Sequence, residues 1–137
     1  MNLQKLALAA LVGAVVSFAL GGLIYVVLLG SFFTANVGSA TNAFRDPPLY
    51  WAIGVSELAA SCLLTLIVGA WAKATSAAGG AQLGAVFGLL AAIMFDFNIF
   101  GTTNVTNLTA TLVDPLLFAI RFAIVGGVIG AMVARRP

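Results

Sequence analysis

The sequence predicts an all-α integral membrane protein, a four-helix bundle with both termini on the cytoplasmic side. Three observations predict it. The chain of 137 residues is 62% hydrophobic and 7% charged, with a mean hydropathy of +1.14, more apolar surface than a soluble domain of this size can bury. Its apolar residues fall into four runs, about 6–33, 49–72, 82–101 and 112–134, each near the roughly 20 residues that carry a helix across hydrocarbon. Basic residues are also asymmetric across those runs. Lys5, Lys73, Arg135 and Arg136 fall on one side and Arg45 on the other, so the side bearing the termini reads as cytoplasmic. Residues 1–137 form a single transmembrane domain on this reading.

Taken in order, the first run follows "MNLQK", which has the look of a signal-peptide start. Its apolar stretch is about twice the usual length of such a segment, so it reads as a span. The link 34–48, "TANVGSATNAFRDPP", is small and polar, and its Pro47-Pro48 suits a turn entering the second helix. Residues 73–81, "KATSAAGGA", read as a short flexible link. Residues 102–111, "TTNVTNLTAT", are uncharged and rich in Thr and Asn. That link and 34–48 are placed outside. Tyr25, Tyr50, Trp51 and Trp71 fit an interfacial aromatic belt or core packing, and Cys62 an inert core position. Within lipid each run must be helical, because backbone polar groups have no water to turn to.

Small residues at four-residue spacing mark helix contacts in a membrane. The first helix carries Ala9, Gly13, Ser17 and Gly21, the third Gly80, Gly84, Gly88 and Ala92, and the fourth Gly126 and Gly130. The third row continues to Asp96, and in the second helix Glu57 heads Ser61, Thr65 and Gly69. Residues four apart share a face, so both carboxylates are predicted to face protein, as the cost of charge at depth requires. Arg121 lies near the middle of the fourth helix, with Asp114 seven residues earlier on nearly the same face. Arginine offers five donors in a planar fork, so Arg121 is predicted to bridge Glu57 and Asp96. Asn98 and the Thr/Asn link are predicted to line the outer opening. The Gly126 and Gly130 row lies opposite Arg121, a second contact face for another helix or another copy of the chain.

Composition removes several functions. There is no histidine and one cysteine, so Ser–His–Asp, HExxH and cysteine-cluster chemistry are excluded. No enzymatic activity is expected. A net charge of +2 drawn from few charges gives no basis for nucleic-acid binding. No cofactor is expected, though a bound lipid suits such a chain, and its partners would be the bilayer, a second copy or a larger membrane complex.

From Gly84 onward, "GAVFGLLAAIMFDFNIFGTTNVTNLTATLVDPLLFAIRFAIVGGVIG" resembles a family of small bacterial membrane proteins with a four-helix domain of unknown function. Phe95-Asp96-Phe97-Asn98 is similar to that family's aromatic–Asp motif, and Val113-Asp114 to the Val-Asp opening its fourth helix. The chain departs from it in Asn98, where the family has Thr, and in Pro115 after the Asp. The resemblance covers about 50 residues; it implies the fold and a bacterial inner membrane, and brings no activity.

Two functions stay open. Intramembrane ionisable groups mark ion, proton or ligand sites, which gives a protein that binds or translocates a small solute, ion or amphipathic ligand. Glu57, Asp96 and Arg121 would form that site, with Asp114 and Asn98 guarding access. The alternative is a structural or accessory subunit of a larger complex, its charges a salt-bridge network that fixes helix register.

Overall fold

The computed structural model describes residues 2–74 and 76–134. Helix α1, Leu3–Gly22, is capped by the Asn2 side chain, which accepts from the Gln4 N–H, and it runs on as a π-helical segment, Leu23–Leu28. The chain breaks at Leu29, whose N–H donates to the Ile24 carbonyl, and a short helix α2, Gly30–Ala35, follows. The predicted first run of 6–33 is therefore two helices. A 26-residue span at 1.5 Å per residue is about 39 Å long, already more than the hydrocarbon thickness. Helix α3 covers Tyr50–Thr65 and also ends in a π-helical segment, Leu66–Trp71.

Helices α4, Ala77–Thr102, and α5, Leu108–Val133, both start earlier than their apolar runs. Their caps explain why. Ser76 Oγ accepts from the Gly79 N–H, and Asn107 Oδ1 accepts from the Ala110 N–H, each satisfying a donor that the first helical turn leaves free. Polar residues that read as loop thus belong to helix starts. Four helices, Leu3–Leu28, Tyr50–Trp71, Ala77–Thr102 and Leu108–Val133, are long and apolar enough to cross a membrane.

Consecutive long helices run antiparallel. Lys5 at the start of α1 donates to the Ala134 carbonyl after α5, while Tyr25 near the other end of α1 meets Asp114 near the start of α5. Large apolar side chains point outward on every long helix, among them Val15, Val55, Leu90 and Ile120, and small or polar ones such as Ser17, Ser61, Thr65 and Thr111 are buried. This inside-out distribution is the one expected where helices associate by close packing and not by water exclusion. A conventional apolar core, Leu64, Val68, Phe122, Val125, Ile129 and Val133, occupies the end nearer the start of α1.

Helix α5 is the centre of the bundle, touching α4 on one side and α1 on the other. The α4–α5 contact is backbone against backbone. A Cβ built at Gly84 would overlap the Phe122 carbonyl, one at Gly126 the Gly80 carbonyl, and one at Gly88 the Phe118 carbonyl. The Gly126 and Gly130 row, expected to meet another helix or another copy of the chain, is filled by α4 of the same chain. The two-sided character of α5 has the same origin, because its Arg121 face looks toward α1 and α3. Of the basic residues used to orient the chain, Lys5 and Lys73 sit at the apolar-core end and Arg45 at the other; Arg135 and Arg136 lie outside the described residues.

Two substitutions separate this contact from ordinary helix surface. Gly84→Ala should lower stability by about 1–3 kcal/mol through overpacking. Gly54→Ala, where a Cβ meets nothing within 4 Å, should be neutral or slightly stabilising. Thermal melts of helicity in detergent micelles check both.

Candidate functional site

The buried charges form two centres, not one. The first is held by α1, α3 and α5. Arg121, 3% exposed, donates from Nε to the Ser17 carbonyl at 3.2 Å and from Nη2 to Ser17 Oγ at 2.9 Å. Nη2 also pairs with Glu57 Oε1, and Ser17 Oγ donates to Glu57 Oε2. Each element contributes a reason for this geometry. Gly21 leaves room for the fork, since a Cβ there would stand 3.3 Å from the guanidinium carbon. The stacked rings of Phe118 and Phe122 lie together beside it, each with its centroid 5.2 Å from that carbon, an arrangement that attracts a cation to aromatic faces. Ser61, one turn beyond Glu57, donates to the Ala10 carbonyl at 2.7 Å and so clamps α3 to α1.

The predicted bridge from Arg121 to Asp96 is not made. Asp96 lies on α4, and α4 packs on the opposite side of α5 from the Arg121 fork. The face predicted from the Gly80–Gly84–Gly88–Ala92 row is nevertheless the one observed, because all four of those residues are buried against α5. Asp96 stands where the row runs out and meets Asp114.

That meeting is the second centre, at the end of the bundle away from the apolar core. Tyr25 Oη donates to Asp114 Oδ1 at 2.6 Å, and the carboxyl groups of Asp96 and Asp114 adjoin each other. Asp96 Oδ2 is buried with no hydrogen-bond partner. An open cavity of about 270 Å³ reaches both carboxyl groups. Its walls come from α4 and α5 (Ile99, Thr111), from the 103–107 connector (Val105, Thr106), and from α2 and the segment after it (Phe33, Asn36, Phe44). The segment after α2 is tied down over the connector. Ala40 N–H donates to the Asn104 carbonyl at 2.9 Å, and Asn107 Nδ2 donates to Asn36 Oδ1 at 3.1 Å.

Of the residues singled out from sequence, Glu57 and Arg121 join in the first centre, and Asp96 and Asp114 in the second. Asn98 joins neither. It is exposed and does not line the cavity, because two residues beyond Asp96 a helix has turned to another face. Two residues were missed in this role. Ser17 was read as a packing residue, although its hydroxyl is the one polar side-chain atom in the α1 row. Tyr25 was read as belt or core, yet a buried tyrosine hydroxyl ordinarily finds a partner. Tyr50, Trp51 and Trp71 are exposed, and so is Cys62, which faces outward from α3.

A second and larger space, about 790 Å³, runs between α3 and α4 over Phe118 and Phe122. Helices α3 and α4 make their main contact only where the Leu66–Trp71 segment meets α4. Its walls are Leu63, Leu83, Val86, Leu90 and similar side chains, with Ser56 as a lone hydroxyl. It is an apolar seam with little to orient a polar ligand. Among the described residues no group of three or more Cys, Asp or Glu side chains stands ready for a metal ion.

The chain matches no protein-family model, no curated protein and no solved structure in the comparisons made with each.

The first centre makes a testable energetic claim. Arg121→Met or Glu57→Gln alone leaves a buried group without its partner and should cost about 3–5 kcal/mol. The double variant should cost clearly less than the sum of the two. A double-mutant cycle of thermal stability in micelles measures the coupling.

Proposed function

We propose that this chain is a multi-pass protein of a bacterial inner membrane, with both termini cytoplasmic, and that it binds a small solute in the outer cavity at Asp96 and Asp114. The observation that carries the reading is the open cavity of about 270 Å³ that the carboxyl groups of Asp96 and Asp114 both line. The four apolar spans and the Lys5 and Lys73 side support the topology.

The first centre supports a different role for the other two charges. Arg121 has its acceptors in Glu57 and Ser17, with two aromatic rings beside it, so it serves to fix the register of α1, α3 and α5. The structural alternative thus describes Arg121 and Glu57, and the ligand-binding reading describes Asp96 and Asp114. Binding is favoured over translocation because the packed Leu64–Val68–Phe122–Ile129 core lies across the far end of the bundle.

Thr106 tests the reading, since it lines the cavity and is partly exposed. In a Cys62→Ser background, Thr106→Cys should react with a membrane-impermeant thiol reagent added from the periplasmic side. Reagents of opposite charge should differ, the cationic one reacting several-fold faster, and Asp96→Asn should narrow that difference. Modification only after access from the cytoplasmic side, or none with the protein folded, overturns the reading.

A further inference from the structure

The seam between α3 and α4 belongs to neither charge centre, and its length, width and rim narrow what fills it. One wall runs from Ser56 to Ile67 along α3 and its extension, the other from Leu83 to Phe95 along α4. At 1.5 Å per residue each wall is about 16–18 Å long, close to the roughly 15 Å of hydrocarbon in one leaflet. A helix with its side chains is about 10–12 Å across, so one of that length needs about 1,300 Å³ or more. The seam holds about 790 Å³. Extended hydrocarbon chains, about 4–5 Å across at van der Waals contact, fit where a helix does not.

The lining suits such chains. It is apolar except for Ser56, and Val86, Leu90 and Met94 stand exposed on the α4 wall. Its floor is Phe118 and Phe122, the two rings beside the Arg121 guanidinium. What fills the seam therefore lies over the rings that pack against the buried cation.

The rim selects a headgroup. The extension of α3 leads into α4 through the short link that carries Lys73, so this residue stands at the end where the two walls are joined. Lys73 is exposed and makes no ion pair among the described residues. Trp71, 67% exposed at the same end, fits the level of a membrane interface, where indole rings collect. Lys5 also sits at this end, and no acid does. Asp46, Asp96 and Asp114 belong to the other end, and Glu57 is paired with Arg121 in mid-bundle. A basic rim on an apolar seam complements an anionic headgroup carried on hydrocarbon chains.

We propose that the seam binds an anionic phospholipid of the cytoplasmic leaflet, with its acyl chains between α3 and α4 and its phosphate at Lys73. This rests on the membrane part of the reading above and is independent of the outer cavity. The probe is dioleoyl phosphatidylglycerol, offered with an equal amount of dioleoyl phosphatidylcholine to the full chain in detergent micelles. The two lipids share their acyl chains and differ at the headgroup. Native mass spectrometry counts the copies of each that the protein retains.

One phosphatidylglycerol per chain is expected, favoured about fivefold over phosphatidylcholine, the factor that one lysine near an anionic group supplies. Lys73→Gln should bring the two lipids to parity, and Lys73→Arg should keep the preference. Ala59→Phe, at an exposed position on the α3 wall, fills the seam and should cut retention of both lipids at least fivefold. Val86→Trp, on the facing wall, should do the same, so that a folding defect in one variant leaves the other to decide. Equal retention of both lipids by the unaltered chain overturns the anionic class. Retention that neither filling variant lowers puts the lipid elsewhere, and a homodimer that both dissociate gives the seam to a second copy; either result overturns the site. A chain that alkaline carbonate strips from membranes sinks the membrane reading and this proposal together. One that stays in membranes without preferring phosphatidylglycerol sinks this proposal alone.

Discussion

A guanidinium group in the middle of an apolar helix must be surrounded by acceptors, and the arrangement of three helices follows from meeting that demand for Arg121. Its partners come from α1 and α3, through the Ser17 carbonyl and hydroxyl and the Glu57 carboxylate. Each contact requires a helix at a given height and rotation. A slip of one residue on α1 would replace the Ser17 hydroxyl with Val16 or Phe18, and on α3 it would replace Glu57 with Ser56 or Leu58. Apolar packing alone discriminates such slips weakly when lipid is as apolar as the helices. The ion pair adds the penalty that packing lacks, which is the best-attested use of buried charge. Helix α4 is fixed by a different device, the glycine contact with α5, and so does not need a share of the arginine.

This division explains the separation of two charge centres that the linear sequence left merged. Residue counting sets Glu57, Asp96 and Arg121 at comparable heights, yet the antiparallel pairing of Gly84 with Phe122 and Gly88 with Phe118 puts Asp96 several turns further along the bundle than Arg121. Azimuth around the bundle is not given by counting, because it depends on which helices are neighbours. With α4 and α1 on different sides of α5, the Arg121 fork and Asp96 cannot meet whatever their depth. Asp96 is left to Asp114, and the acid pair is left to the cavity.

Much of the fold was legible because its signals are periodic and local. Four apolar runs became four long helices, and the four-residue rows of Gly80, Gly84, Gly88 and Ala92 marked a real contact. Helix starts were legible in principle and misread in practice: Ser76 and Asn107 are capping residue types, but they sit in stretches whose polarity resembled loop. The partner of the Gly126 and Gly130 row was not legible, since a small-residue stripe states that something packs closely and not what. Tyr25 belongs to the same class. Its pairing with Asp114 spans 89 residues, and it lies on a π-helical segment, whose altered winding shifts side chains off the faces that a 3.6-residue period assigns.

The spacing of the ion pair along the chain has a consequence in time. Glu57 and its cation are 64 residues apart, with the cation on the last helix. At ordinary translation rates of 5–20 residues per second, about 3–13 s separate their synthesis. During that interval, on the membrane reading, α1 and α3 form a hairpin holding an acid whose counter-charge does not yet exist. The Ser17 hydroxyl, already made and on the facing helix, is the one donor within the hairpin that the finished structure gives to Glu57. A side chain that looks like a minor ligand of the mature centre is also the earliest, a temporary host for the carboxylate until α5 brings Arg121.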